Sequence, residues 1–121
     1  MRLIALRGAT TVNDNEAEAI LTATGELMRE ILSRNELGAD DLVSCIFTLT
    51  PDLDAEFPAV AARNLGLDQV PLLCAREIDV PGAMERVIRV MVQYYAPREH
   101  RPAHAYLGAA QALRSDLHAA Q

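Results

Sequence analysis

One arginine, Arg89, stands inside the apolar run Val87-Ile88-Arg89-Val90-Met91-Val92. If that run is a strand covered on both faces, a permanent cation lies inside the protein. A buried guanidinium is costly unless an anion answers it. Glu77 is one candidate anion and a substrate is another. Elsewhere the chain offers Arg7, Arg63 and Arg114 as cations, together with Cys74 and Tyr106. Several of these fall at the ends of predicted strands, where binding residues are commonly carried. The set contains no convincing nucleophile–base pair and no G-x-S-x-G. Cys74 has no histidine near it in sequence. His100 and His104 have an H-x-x-x-H spacing, but in a proline-flanked loop without the cysteines or carboxylates that would complete a metal shell. No phosphate-binding glycine loop is present; Arg7-Gly8-Ala9 is too short. The composition suits holding a small polyanion in a fixed shape. It does not by itself name a reaction.

The totals narrow the partners. At 121 residues one domain is expected, and half of the residues are hydrophobic, so a core can form. Aromatic content is only 4%. Such a small chain is a candidate to complete its core by oligomerising. The net charge of -6 argues against a general nucleic-acid binder. No apolar run reaches transmembrane length, and the first residues do not read as a secretory leader. Cys45 and Cys74 show no C-x-x-C spacing; reduced thiols in a cytoplasmic protein are the simplest reading. All 11 basic residues are arginine. Genomic base composition explains that most simply, although arginine also suits bidentate carboxylate recognition.

The elements that must position these residues follow from periodicity. Residues 2–6 read as a short strand that ends at a bend on Gly8, leaving Arg7 at the strand's end. Asn13 or Asp14 is placed to cap a long helix over residues 14–35, with Gly38 as its stop signal. Residues 42–50 read as a buried strand with Cys45 in its middle. A loop leads to a short helix over 57–65, with Pro58 in its first turn and Gly66 at its end. Residues 70–74 form a third strand. The run around Arg89 fits two templates. Met84, Val87, Ile88, Met91, Val92 and Tyr95 recur at helical spacing, which would make Glu85 and Arg89 a surface pair. β-branched residues at 87, 88, 90 and 92 favour a strand. Residues 104–107 look like a last strand, and 109–121 like a ragged helix or loose tail.

Four segments, taken in order, resemble a known family. They are R-G-A-T-T-V (Arg7 to Val12), T-P-D-L-x-A-x-F-P-A (Thr50 to Ala59), V-P-x-x-C-x-x-E-x-D-V (Val70 to Val80) and I-R-V-M (Ile88 to Met91). Each is weak alone. Together they resemble the small monofunctional chorismate mutases of the β-rich, trimeric class, over nearly the whole chain. The resemblance implies an α+β fold: a mixed five-stranded sheet with one long and one short helix, trimerising into a barrel-like β core. It makes the Arg89 run a strand. It implies conversion of chorismate to prephenate without cofactor or metal, at active sites between subunits.

The resemblance also assigns roles. Arg89 places its guanidinium on the substrate's ether oxygen. Arg7 and Tyr106 bind carboxylate oxygens. Glu77 accepts a hydrogen bond from the ring hydroxyl and orients Arg89, and Cys74 meets the same hydroxyl through its backbone or thiol. Phe57, Ala59 and Leu73 line a wall from the neighbouring subunit. Arg63, Leu113 and Arg114 form a rim over the mouth. Two positions depart from the pattern: Val60 replaces a basic residue of some relatives, and Leu73 replaces a smaller polar one. Two other readings stay open, a silent trimeric module that binds a carboxylate and an enamine-handling enzyme on a similar trimer; fold alone does not separate them.

Overall fold

The structure is a computed structural model and describes residues 1–113. Arg114 and the rest of the alanine-rich tail lie outside the described residues. Five strands form one mixed sheet: β1 (Arg2–Thr11), β2 (Leu42–Leu49), β3 (Leu72–Arg76), β4 (Val87–Ala96) and β5 (Ala105–Tyr106). Their order across the sheet is β3-β2-β4-β1-β5. β4 runs antiparallel to both its neighbours, β1 and β2. The β2–β3 and β1–β5 pairs are parallel. The long helix α1 (Ala17–Arg34) and the short helix α2 (Ala59–Asn64) complete the α+β architecture. Among the described residues no helix is long and apolar enough to cross a membrane.

The run around Arg89 is a strand, and its pleat explains the ambiguity of its sequence. Side chains alternate between faces along a strand. Ile88, Val90, Val92, Tyr94 and Ala96 are buried on one face. With Leu6, Phe47, Leu27, Met28 and Ile31 they make up much of the core between sheet and α1. Arg89, Met91, Gln93 and Tyr95 occupy the other face, where Met91 and Tyr95 are exposed and Arg89 and Gln93 half-buried. So the strand is not sealed on both sides within one protomer. Arg89 lies on the open side, at its border. Just beyond it Val87, Ala9, Tyr106 and Ala110 form a second, smaller apolar cluster with Met84 and Leu113 packed on it.

Several local expectations are corrected. β1 does not stop at Leu6; it continues through Arg7 and Gly8 to Thr11. Gly8 is needed for close approach, not for a bend. A Cβ there would lie 2.8 Å from Ile31 Cδ1 and 3.1 Å from the Ala105 carbonyl oxygen. Its absence lets α1 and β5 both close on β1. Neither Asn13 nor Asp14 caps α1, whose N-cap is Glu16 without a side-chain cap. Asn15 instead ties the helix start to the following loop, its Oδ1 accepting from the backbone N–H groups of Asp54 (3.0 Å) and Ala55 (3.1 Å). At the other end Glu36 (φ 52), not Gly38, takes the left-handed position. Leu37 N–H reaches the Leu32 carbonyl at 2.9 Å, and both side chains pack on the core. The hydrogen bonds and this apolar contact of the capping motif outweigh the lack of a glycine. α2 is shorter than 57–65, and Gly66 ends it with φ 94, as expected.

Candidate active site

Register assembles the site on the open face. Residues directly opposite in neighbouring strands share a face. Thr48 on β2 faces Arg89 on β4, Arg89 faces Ala9 on β1, and Ala9 faces Tyr106 on β5. Arg7, two residues before Ala9, therefore points to the same side as Arg89 and stands diagonal to it, at a typical Cα separation of ~7–8 Å. Arg7, Ile46, Thr48, Arg89 and Met91 line an open hollow of about 230 Å³.

Glu77 answers Arg89. It is the first residue beyond β3, fixed there by its backbone N–H to the Leu49 carbonyl at 2.9 Å. Its carboxylate accepts from Arg89 Nε at 3.0 Å (Oε2) and 3.3 Å (Oε1). The Thr48 hydroxyl donates to the same Oε2 at 2.7 Å. The Glu77 side chain is 15% exposed and that of Arg89 34%. Because Nε holds the glutamate, the two terminal nitrogens of the guanidinium remain for another acceptor. Arg7, Arg89 and Glu77 sum to one positive charge, in a protein of net charge -6. Two guanidinium groups on one face make a local setting suited to an anion, whatever the overall field.

The remaining expected residues are spread around this pair. Tyr106 is buried (6% exposed), and its hydroxyl has no hydrogen-bond partner among the described residues. Leu113 packs on the same small cluster as Tyr106. Phe57 (65%) and Leu73 (62%) are exposed apolar side chains. Phe57 and Cys74 line a separate hollow of about 330 Å³ with Leu49, Leu53 and Arg76. Cys74 packs toward the main core, on the pleat face opposite Leu73 and Glu77, so its thiol does not share the face of Arg89. Ala59 is 4% exposed, its methyl part of the core. Arg63 is exposed on α2. One protomer thus brings together Arg7, Arg89, Glu77 and Tyr106, leaves Leu73 farther along the same sheet face on β3, and turns Phe57 and the Cys74 thiol to a different surface.

Sequence reasoning missed three supports. Thr48 looked like one more residue of a buried strand; only the register opposite Arg89 marks it. His104 accepts the Arg7 backbone N–H on Nδ1 at 3.0 Å, a contact 97 residues apart in sequence. Asp52 clamps the far end of the loop that begins at Glu77, accepting the Arg86 N–H at 3.0 and 3.2 Å and the Thr50 hydroxyl at 2.5 Å. The T-P-D segment held a usable signal for this last one, since an Asp two residues after a Thr favours such local bonds. Among the described residues no group of three or more His, Cys, Asp or Glu side chains is placed to hold a metal ion. Burial pushes the Cys45 thiol up to about 12 and raises the Tyr94 phenol above its ordinary value; both belong to the core, not to the site.

Comparison with known proteins points the same way. The family model described as chorismate mutase type I matches residues 3–117. A chorismate mutase AroH of Thermus thermophilus is 46% identical over 118 residues, covering 96% of this chain and 97% of that protein. Its counterpart from Bacillus subtilis is 41% identical over 120 residues, covering 97% and 94%. A solved chorismate mutase from Clostridium thermocellum superposes with a TM-score of 0.88 at 48% identity, over 91% of this chain and 99% of that one. A match of this length, in sequence and in fold alike, means that the chain belongs to the type I chorismate mutase family.

Proposed function

We propose that the protein converts chorismate to prephenate, as an isomerase in the biosynthesis of phenylalanine and tyrosine. The observation that carries this reading is the Arg89–Glu77 pair beside Arg7 on the open sheet face. The substrate is a dicarboxylate with a ring hydroxyl and an ether oxygen. In the rearrangement the ether C–O bond breaks as a C–C bond forms, and all electrons stay within the molecule. No proton needs to be abstracted and no covalent intermediate is needed. The protein has two tasks: to hold the side chain folded over the ring, and to place fixed positive charge where the ether oxygen becomes negative.

Arg89 supplies that charge through its terminal nitrogens. Glu77 fixes the guanidinium through Nε and accepts the ring hydroxyl with its remaining acceptor capacity. Arg7 and the Tyr106 hydroxyl take carboxylate oxygens. A buried phenol with no partner among the described residues gains a hydrogen bond when it meets one. Cys74 contributes through its backbone, since its thiol lies on the opposite pleat face.

The rest of the pocket comes from a second copy of the chain. The hollow at Arg89 is shallow and open, while Leu3, Ile46, Met91 and Tyr95 are exposed on the same sheet face. Covering that face by association in a homotrimer closes the hollow and brings Phe57 and Leu73 of a neighbour against it. Arg63 and Leu113 then form the rim, and Val60 leaves Arg63 to assist the carboxylates. Two free cysteines, one of them buried, fit a reducing cytoplasm. The test is the loss of chorismate's diene absorbance with purified protein. Rapid, saturable loss with prephenate as sole product is expected. A folded, oligomeric protein that leaves the absorbance unchanged overturns the reading.

A further inference from the structure

Glu77 carries a precise task from an insecure position. It follows the last residue of β3 and opens a ten-residue loop whose next apolar side chains, Ile78 (87%) and Val80 (54%), stand in solvent. Its backbone is held, but a glutamate side chain has three rotatable bonds, and burial alone does not choose where its two oxygens point. Arg89 alone cannot fix it, because Arg89 is the group to be fixed. The Thr48 hydroxyl supplies the missing constraint. It donates to Oε2 at 2.7 Å, shorter than either bond from Arg89 Nε. A carboxylate only accepts, so the direction of this bond is settled.

We infer that Thr48 is a positioning residue for the rearrangement: its hydroxyl locks the Glu77 carboxylate, and through it the aim of the Arg89 guanidinium. Three features carry this. Thr48 sits directly opposite Arg89 in the β2–β4 register, so sheet geometry sets its distance from both partners. A β-branched residue is stiff at χ1, so its hydroxyl direction is set by the strand itself. The bond ends on a charged acceptor, the stronger kind. Thr48 lines the same hollow as Arg7 and Arg89, but its proton is already committed to Glu77. It therefore acts on the reaction through Glu77. The inference rests on the functional reading above.

The test compares Thr48→Val, which keeps shape and branching but loses the hydroxyl, with Thr48→Ser, which keeps the hydroxyl and loses the methyl. Turnover of chorismate is followed for both, alone and combined with Glu77→Gln. A positioning role predicts that Thr48→Val lowers kcat by roughly tenfold or more with KM little changed, from the loss of a bond to a charged group. Thr48→Ser stays within about twofold of the parent. Thr48→Val then costs much less once Glu77 is already Gln, because the two act as one unit. A packing role predicts the opposite order, with Val silent and Ser impaired. That order, or full additivity with Glu77→Gln, overturns the inference while leaving the activity in place. Should Thr48→Val fail to fold, Thr48→Ala against Thr48→Ser makes the same comparison of hydroxyl loss. A parent without activity on chorismate overturns the functional reading and this inference together.

Discussion

Arg89 is bonded to the protein through Nε, and that choice of atom decides what it can do. A bidentate grip by Glu77 on the two terminal nitrogens would spend the charge on the protein. The observed contact uses the inner nitrogen and leaves the outer edge available. Replacing Arg89 with citrulline keeps the Nε–H and nearly the same shape but removes the charge. Folding and assembly should persist, while kcat falls by roughly a hundred- to a thousandfold. Activity within a few-fold of the parent would remove Arg89 from the ether oxygen. A second prediction at this scale concerns Cys45, which is 1% exposed, with its thiol raised from 9.0 to about 12 by burial. Below pH 9 the thiol is protonated in both states. Between 9 and 12 the unfolded chain releases this proton and the folded chain keeps it, so stability is lost as pH rises through that window. The full window is worth about 4 kcal/mol. Urea unfolding at several alkaline pH values should show a shallower decline in Cys45→Ala. Tyr94, also raised by burial, acts in the same direction and persists in that variant. Equal slopes for parent and variant would contradict the assignment.

At the scale of elements, β5 is the weak member and the site depends on it. It has two residues, Ala105 and Tyr106, paired only to Gly8 and Ala9 of β1. A strand so short needs other ties. Asn35, at the end of α1 and 5% exposed, supplies two, both to Ala103, and a third bond to its own helix. Its amide nitrogen donates to the Ile31 carbonyl (2.9 Å) and the Ala103 carbonyl (3.0 Å), and its oxygen accepts the Ala103 N–H at 2.8 Å. Arg34 adds a bond to the His104 carbonyl at 3.0 Å. Asn35→Ala leaves backbone groups of the 103–106 segment unpaired, and should cost about 2–3 kcal/mol in chemical unfolding. KM for chorismate should rise with it, since Tyr106 is displaced. Unchanged stability would mean that water replaces all three bonds.

The whole molecule is a half-covered sheet. α1 and the strand faces beneath it form a dry core, whereas Leu3, Ile46, Met91 and Tyr95 stand exposed on the other side. A hydrophobic face of that kind marks an interface. Sedimentation of the parent should give a trimer. Met91→Asp places a charge in the middle of the covered face, far from the α1 core. It should yield folded monomers whose turnover is lost, because the closing wall from the neighbour is gone. A parent that is monomeric and fully active would refute both the assembly and the shared site.

Much of this architecture is legible in the amino-acid sequence. The helical period of α1 survives any context, because an amphipathic helix must bury one stripe. The β-branched run around Arg89 is a strand, and the odd cation within an apolar stretch does find its anion in Glu77. The four ordered segments carry the family. What the chain alone leaves undetermined are properties of register and close approach. Whether residue 89 faces core or open side depends on the pleat, and a shift by one position would reverse it. That Gly8 continues a strand rather than bending it depends on Ile31 and Ala105 arriving from 23 and 97 residues away. Thr48, His104 and Asn35 gain their roles only from partners distant in sequence, and local patterning carries no trace of such contacts. The sequence by itself determined which elements form and which residue types the chemistry requires. Only the tertiary structure decided which of those residues meet, because hydrogen bonds and faces are set by strand register.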